Sequence, residues 1–174
     1  MSLTIRDNLK RLLAPRHVAF VGGRSMARAL KRCADGGYAG QMWLVNPQHD
    51  ELEGVPCVRQ ISDLPCGPDA VFIATNRELT LACVRELAAK GAGGAICYAS
   101  GFAETGAEGQ ALQQQLLEAA GDMALLGPNC YGLLDYLHSC ALWPVAHGGK
   151  AVEKGVAVLT QSGNFAYNLS MSDR

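Results

Sequence analysis

Glycine, small polar and cationic residues recur where apolar runs of the sequence end. The first such loop, Gly22-Gly23-Arg24-Ser25, follows an apolar run and opens a helix-like segment. Free backbone N–H groups and the positive end of the helix dipole can bind a phosphate at such a turn, and Arg24 and Arg28 add positive charge. The loop therefore predicts a phosphate site, and a tight strand-to-helix turn without a ligand is the alternative.

Further loops carry polar residues after apolar runs. They are Asn46-Pro47, Thr75-Asn76-Arg77, Ser100-Gly101-Phe102 and Gly127-Pro128-Asn129-Cys130. In a doubly wound parallel sheet, ligands bind outside the carboxyl ends of the strands, where the strand order reverses. We therefore expect these loops to be the candidates for a shared ligand site.

The first loop departs from the GxGxxG fingerprint of dinucleotide-binding proteins. The glycine that lets the helix pack close to the strand is missing, and Ala27 and Ala29 are small substitutes for it. Asn46 and Pro47 stand where an acidic residue would bind the ribose hydroxyls of NAD. An NAD(P)-binding oxidoreductase domain is therefore the third-ranked hypothesis.

Apolar runs that alternate with helix-like segments predict the elements that position these loops. The predicted strands cover residues 17–23, 41–47, 69–75, 94–101 and 123–130, and the predicted helices cover 4–13, 26–35, 78–90 and 104–121. Residues 49–64 are polar and predicted to be irregular. Strands alternating with helices are typical of βαβ units, and right-handed crossovers then give an α/β fold, a Rossmann-like doubly wound parallel sheet.

A second strand-turn-helix signal begins after residue 147. Residues 155–160 are predicted to be a strand, Gln161-Ser162-Gly163 a turn, and residues 164–171 the opening of a helix. One strand and two helical turns cannot bury their own apolar faces. We therefore predict one domain over residues 1–147, followed in 148–174 by a linker and the truncated start of a second domain.

Composition and charge exclude several classes of function. The 174 residues are 49% hydrophobic and 18% charged with a net charge of −1, which permits a core and argues against a bulk nucleic-acid binder. No run is long enough to span a membrane, and the N-terminus lacks an apolar signal core. The seven cysteines form no CxxC pair, so we expect reduced thiols in a cytoplasmic protein and no metal site.

The charge is distributed unevenly along the chain. Residues 1–40 hold eight lysines and arginines against two aspartates, whereas residues 41–174 hold seven against fourteen acidic residues. This gradient indicates an anionic partner near the first elements, and a solvated helix face is the alternative.

The series HVAFVGG, WLVNP, DAVFIAT, GAICYASGFAETG, LLGPNCYGLL and VAVLTQSG resembles the CoA-binding domain of NDP-forming acyl-CoA synthetases. That group includes the succinyl-CoA synthetase α subunit and the acetyl-CoA synthetases that make ADP. The resemblance runs from about Pro15 to the C-terminus, and GPNC followed by a strand ending in QSG is its specific part. It implies that the second domain is flavodoxin-like and α/β.

The resemblance also implies a CoA site assembled loop by loop, with a phosphate site on the second domain. The implied residues are Gly22, Gly23, Arg24 and Ser25 for the CoA phosphates; Asn46 and Pro47, with His49 nearby, for the nucleotide side; Tyr98, Ala99 and Ser100 for the pantetheine arm; Asn129 and Cys130 for the thioester end; and Gln161, Ser162 and Gly163 for a separate phosphate.

For the parent protein, the resemblance implies an acid–thiol ligase. It would join a small carboxylic acid to CoA with ATP or GTP and magnesium, through an acyl phosphate and a phosphohistidine. That histidine would lie beyond Arg174, so no catalytic residue is expected in this chain, which should bind CoA without turnover. An ATP-grasp subunit or domain, or a second copy of the chain, is the implied partner, with no nucleic acid and no membrane.

Departures from the family pattern leave another function open. The segment from Gly23 to Gly36 is shorter than its family counterpart, and Arg77 places a cation where the family has a small apolar-proline loop. Arg77 would compensate for the shortened loop or suit another anion. The alternative is a regulatory or assembly module that keeps the fold without binding CoA. Cys130 is interpreted as a packed residue, because a thiolate nucleophile needs a basic partner.

Overall fold

Strands and helices alternate through most of the region that the computed structural model describes, residues 5–172. The strands are β1 (His17–Gly22), β2 (Gln41–Val45), β3 (Glu51–Leu52), β4 (Val55–Val58), β5 (Ala70–Ala74), β6 (Gly94–Cys97), β7 (Ala124–Leu126), β8 (Leu133–Asp135) and β9 (Cys140–Leu142). The helices are α1 (Ile5–Leu13), α2 (Arg24–Asp35), α3 (Arg77–Ala89), α4 (Ala107–Ala120) and α5 (Gly163–Ser170). Thr4, the predicted first residue of the opening helix, lies outside the described residues.

The strands up to β7 form one sheet in the order β3-β4-β2-β1-β5-β6-β7. Every neighbouring pair is parallel except β3 and β4. After β1 the chain forms β2, β3 and β4 on one side of β1, and then β5, β6 and β7 on the other side. The strand order therefore reverses between β1 and β5. The predicted α/β fold with a doubly wound, Rossmann-like sheet is confirmed.

Helices cover both faces of the central strands. On one face Phe20, Phe72 and Ile96 pack with residues of α1 and α2, and on the other Val21, Val71 and Ile73 pack with residues of α3 and α4. A strand buried on both faces needs apolar residues at successive positions, which is why these runs were recognisable in the sequence. None of the helices within residues 5–172 has the length and apolarity that crossing a bilayer requires.

Two strand pairs lie where none was predicted. In the segment expected to be irregular, β3 and β4 form a hairpin whose turn residues, Glu53 and Gly54, both have positive φ angles, 55° and 78°. This is the geometry of a two-residue hairpin turn that twists with its strands. A second hairpin pairs β8 with β9, and residues 140–142 are buried against α2.

The predicted strand at residues 155–160 is wrong. These residues belong to no sheet in the described part of the chain, and Val156 and Leu159 are 91% and 94% exposed. A strand needs a neighbour that pairs its backbone groups, and no neighbour lies beside this segment within residues 5–172. The helix predicted after it does form, as α5.

Candidate functional site

The loops after the parallel strands lie at one edge of the sheet, as predicted. Gly22 is paired with Ala74, Ile73 with Cys97, and Ile96 with Leu126, so these strands end nearly level with one another. The backbone N–H of Asn129 donates to the carbonyl of Ala99 at 2.8 Å, which joins the loop after β7 to the loop after β6. The edge is therefore a continuous surface.

The loop after β1 leads into an open helix end. Gly22 has a φ of 151°, and a Cβ there would lie 2.8 Å from both the Ala74 carbonyl oxygen and the Met26 Cγ, so only glycine permits this approach. Gly23 is the N-cap of α2, and no side chain among the described residues caps it. Gly23, Arg24 and Ser25 are exposed. The first amides of a helix have no partner within it; here Met26 and Ala27 donate to the Gly23 carbonyl, and the amides of Arg24 and Ser25 belong to exposed residues.

A carboxylate from the β3–β4 turn lies beside the cations of α2. Glu53 Oε1 is 3.1 Å from Arg28 Nη2 and 4.0 Å from Arg24 Nη1, and Lys31 donates to the Glu53 carbonyl at 3.2 Å. Glu53 and Lys31 were not predicted to belong to the site. Gly54, a residue that favours turns, is the signal that could have indicated a turn at Glu53.

Asn46 ties the ends of β1 and β2 together. Its Nδ2 donates to the Gly22 carbonyl at 2.9 Å, and its Oδ1 accepts the backbone N–H groups of Gln48 and His49. The residue is buried, whereas Pro47 and His49 beside it are exposed. Asn46 is therefore a positioning residue for the first loop.

The side chain of Arg77 is held by hydrogen bonds to neighbouring carboxylates and to a backbone carbonyl. Its guanidinium donates to the Gly101 carbonyl and to the carboxylates of Glu78 and Glu108, at 2.7 to 3.0 Å. These contacts join the start of α3 to the loop after β6 and to α4. The interpretation of Arg77 as a cation that compensates for the shortened loop stays a prediction, and any anion there would compete with Glu78 and Glu108 for its guanidinium.

The loop after β6 is a fixed platform. Glu104 accepts the Gly101 backbone N–H at 2.7 Å, and this hydrogen bond lowers the pKa of Glu104. Phe102 is fully buried beneath the loop, while Tyr98 and Ser100 are exposed and Ala99 is buried. The predicted pantetheine loop thus presents an aromatic ring and a hydroxyl group at the sheet edge.

Aromatic rings continue from this platform towards α5. Tyr98 lies edge-on to Phe72 and to Tyr131, each at 6.1 Å between ring centroids, and Tyr131 lies 5.5 Å from Trp143. Gly163 packs on Tyr131, since a Cβ there would lie 2.6 Å from its Cε2. Tyr131 was missed in the sequence, although it follows Asn129-Cys130 directly. It brings the start of α5 to the same edge.

The turn before α5 is exposed. Ser162 is the N-cap, and its Oγ accepts the Phe165 backbone N–H at 3.3 Å. Gln161 and Ser162 are both exposed to solvent. The structure therefore brings the Gln161-Ser162-Gly163 turn near Tyr131 and Tyr98, within one region of the sheet edge.

Cys130 has the properties of a packed thiol. Its backbone N–H donates to the Cys97 carbonyl at 3.3 Å. Burial raises the pKa of the Cys130 thiol, and burial raises that of Cys97 to about 12. A catalytic cysteine needs the opposite shift. The preceding residue, Asn129, adopts a left-handed φ of 55° that turns the chain back on β6.

The histidines lie away from this edge or in loops beside it. His17 Nδ1 accepts the Asp69 backbone N–H in the sheet, and His138 pairs with Asp135. His147 lies beside Tyr136, and burial lowers its pKa. None of these contacts equips a histidine for phosphate transfer.

Comparisons with known proteins show the family of this chain. Residues 16–135 match the family model described as CoA binding domain. A trans-feruloyl-CoA synthase from an unknown prokaryotic organism is 33% identical over 170 residues, which cover 92% of this chain and 24% of that protein. An ADP-forming acetate–CoA ligase of Archaeoglobus fulgidus is 30% identical over 168 residues, with 90% and 23% covered. The chain thus spans about a quarter of these relatives.

Solved structures share the fold. An acetyl-coenzyme A synthetase of Ca. Korarchaeum cryptofilum, in its apo form, superposes with a TM-score of 0.75 at 27% identity, covering 93% of this chain and 36% of that one. A Pyrococcus horikoshii protein reaches a TM-score of 0.83 at 24% identity, covering 93% and 38%. The second likeness concerns the fold alone.

Proposed function

We propose a function for this chain that follows from its family: it belongs to the CoA-binding domain family of ADP-forming acyl-CoA synthetases. The chain is the CoA-binding portion of such a synthetase, and its proposed ligand is CoA, held at the carboxyl edge of the sheet. The observation that carries this proposal is the open end of α2 at the strand-order reversal, where Gly23, Arg24 and Ser25 face solvent.

The phosphates of CoA are proposed to bind at the loop after β1. The absence of a Cβ at Gly22 lets the backbone turn closely over β5, and Gly23, Arg24 and Ser25 offer N–H groups at the positive end of the α2 dipole. The Arg24 guanidinium is 74% exposed and only 4.0 Å from Glu53, and we propose that it turns from this carboxylate to the phosphate. A pyrophosphate there would be bound by backbone and side chain together.

The rest of the ligand is proposed to follow the sheet edge. Asn46 holds the first loop in place, and Pro47 offers the nucleotide side an exposed apolar surface. Tyr98, Ala99 and Ser100 would line the pantetheine arm, and Asn129 and Cys130 would lie by its thiol end. CoA supplies the thiol that accepts the acyl group; this chain's residues bind it and orient it. Gln161, Ser162 and Gly163 would hold a separate phosphate at the start of α5.

For the whole protein we propose an NDP-forming acid–thiol ligase. A small carboxylic acid, CoA and a nucleoside triphosphate with magnesium would give acyl-CoA, through an acyl phosphate and a phosphohistidine carried beyond Arg174. Relatives named as ADP-forming acetate–CoA ligases support this proposal, as does the Korarchaeum synthetase solved with phosphate and ADP. The partner would be an ATP-grasp domain or subunit, or a second copy.

We also propose that the chain divides near residue 147. Residues 1–147 would be the CoA-binding domain, and 148–174 a linker with the start of a second, flavodoxin-like ligase domain. The unpaired, apolar segment at 155–160 supports this division, because it exposes Val156 and Leu159 as a strand does when its sheet neighbours are absent.

Thermal unfolding of the chain with CoA, and separately with NADH, tests the proposed ligand. CoA at millimolar concentration should raise the midpoint, because a ligand that binds only the folded state stabilises it. NADH should have no comparable effect. Stabilisation by NADH and not by CoA would favour the oxidoreductase hypothesis instead.

A second candidate, an assembly module without CoA, is favoured by one observation. Glu53 already neutralises part of the charge of Arg24 and Arg28. This function predicts no CoA-dependent shift and a stable complex with a partner chain on size exclusion.

A further inference from the structure

The β3–β4 turn packs against a row of cations on α2. We name Arg24, Arg28 and Lys31 the α2 basic face. Residues four and three apart on a helix lie on one side of it, and all three contact Glu53: two at its carboxylate and one at its carbonyl. The row begins at the open helix end and extends for about two turns.

One carboxylate faces three cations in this cluster. The Glu53 side chain is 27% exposed, less than those of Arg24 and Arg28, at 74% and 59%. Leu52, the neighbour of Glu53 in the hairpin, is buried and anchors the turn. Glu53 is therefore the more buried partner, the arginines are largely exposed, and a positive excess remains around them.

We infer that the α2 basic face binds the 3′-phosphate of CoA, and that Glu53 is the internal counter-ion which this phosphate displaces. The inference rests on the proposed function, because a pyrophosphate at the open end of α2 fixes where the nucleotide lies. In CoA the 3′-phosphate stands one ribose away from the pyrophosphate. Arg28 lies one helical turn, about 5 Å along the axis, from Arg24, so it offers a second cation within reach of a group that far from the pyrophosphate.

The chemistry suits a phosphate monoester. Such a group carries close to two negative charges at neutral pH and three acceptor oxygens, whereas Glu53 offers one charge and two oxygens. Arg28 can bind a phosphate with two parallel N–H groups, and Lys31 adds a point charge. The phosphate therefore competes successfully with Glu53 for the same donors, and Glu53 sets how tightly the phosphorylated nucleotide binds.

Titration calorimetry with CoA and with 3′-dephospho-CoA tests this inference on the full chain. Glu53→Gln should tighten CoA about five-fold, the factor expected when a unit charge about 4 Å away is removed at water-like dielectric. The same variant should change dephospho-CoA binding less than two-fold. Arg28→Gln should weaken CoA by about five-fold and leave dephospho-CoA nearly unchanged. Arg85→Gln, on the exposed surface of α3, is the matched control.

The possible results separate this inference from the proposed function. If the wild-type chain binds neither ligand, the proposed function fails and this inference fails with it. If CoA binds and Glu53→Gln leaves its affinity unchanged or weakens it, only the inference is overturned. Equal effects of either variant on CoA and dephospho-CoA would also overturn it, since the cluster would then respond to charge in general.

Discussion

Arg24 and Glu53 define the charge at the proposed ligand site. The sequence identifies Arg24, because a cation after two glycines at the end of an apolar run is a recognisable pattern. It does not identify Glu53, because the carboxylate reaches α2 only after the β3–β4 hairpin folds over it. The sequence therefore indicates the positive charge of Arg24, whereas the carboxylate of Glu53 beside it is seen only in the structure.

Asn46 and Arg77 also have hydrogen-bond partners that the sequence alone does not predict. Asn46 directly follows β2 and Arg77 begins α3 shortly after β5, and both positions can be predicted from the apolar run before them. Their hydrogen-bond partners come from other elements: Gly22 for Asn46, and Gly101 and Glu108 for Arg77. A local pattern carries no information on such long-range partners. The side chains that position the site therefore appear only in the folded chain.

The ionised carboxylate of Asp69 is expected to stabilise the fold. Although burial raises its pKa, hydrogen bonds from Arg16 and Arg11 outweigh burial and lower the pKa to about 2. A carboxyl group with a depressed pKa stabilises the fold above its unfolded value, near 4, and this contribution is lost as the pH falls towards 2. Asp69→Asn should cost about 1 to 2 kcal/mol at pH 7, since the exposed Arg16 partner is screened by solvent.

Urea unfolding of both proteins across this pH range measures the effect. The difference in free energy between wild type and Asp69→Asn should shrink towards zero below pH 2. Asp35→Asn, at the exposed end of α2, is the control. A difference that stays constant between pH 7 and pH 2 would contradict the role assigned to the ionised carboxylate.

At the scale of elements, burial on both faces decided which strands were predictable. β1, β5 and β6 are continuous apolar runs because helices cover them on both sides. β3 and β4 were missed because they are short, lie at one end of the sheet and include Pro56. Residues 155–160 have the composition of a central strand and lack a neighbour, so composition alone gave the wrong prediction.

Helix α4 packs closely against the loop that precedes it. Gly109 lies in α4, and a Cβ there would lie 1.8 Å from the Phe102 carbonyl oxygen. Helix propensity alone predicts that Gly109→Ala stabilises the protein by about 1 kcal/mol. Because the alanine must displace the loop above it, we expect a loss of about 2 kcal/mol or more instead.

Chemical denaturation checks the sign of this change. Gln115→Ala, at an exposed position of the same helix, should be neutral or slightly stabilising, since it improves propensity without a close contact. A gain in stability for Gly109→Ala would mean that the loop yields freely. The rigid platform described for residues 98–106 would then be incorrect.

At the scale of the whole molecule, burial is distributed unevenly along the described residues. The two core clusters draw on residues from Leu12 to Leu142, whereas in α5 only Ser170 is buried. The sequence places a domain boundary near residue 147, where a strand-turn-helix signal restarts, and this division stays a prediction. The sequence could not predict that α5 would pack by Gly163 on Tyr131.

Deleting residues 151–174 tests this division. The remaining chain should unfold cooperatively, with a free energy within about 1 kcal/mol of the full chain, because little apolar area leaves the core. Deleting residues 1–13 is the contrasting case: it removes the buried Leu12 and the hydrogen bonds of Arg11 to Asp69 and to the carbonyls of Gly67 and Gly91. Equal losses in the two truncations would contradict the division.

The most direct measurement is a calorimetric titration of the full chain with CoA, repeated with Arg24→Ala and Arg85→Ala. If the open N-terminal end of α2 binds the phosphates of CoA, titrating the wild-type chain with CoA at millimolar concentration or below should release or absorb heat. Arg24→Ala should then weaken binding by about ten-fold, as expected for a lost charge-assisted hydrogen bond, and Arg85→Ala should match the wild type. No heat with CoA, or equal affinities in all three proteins, would contradict the account.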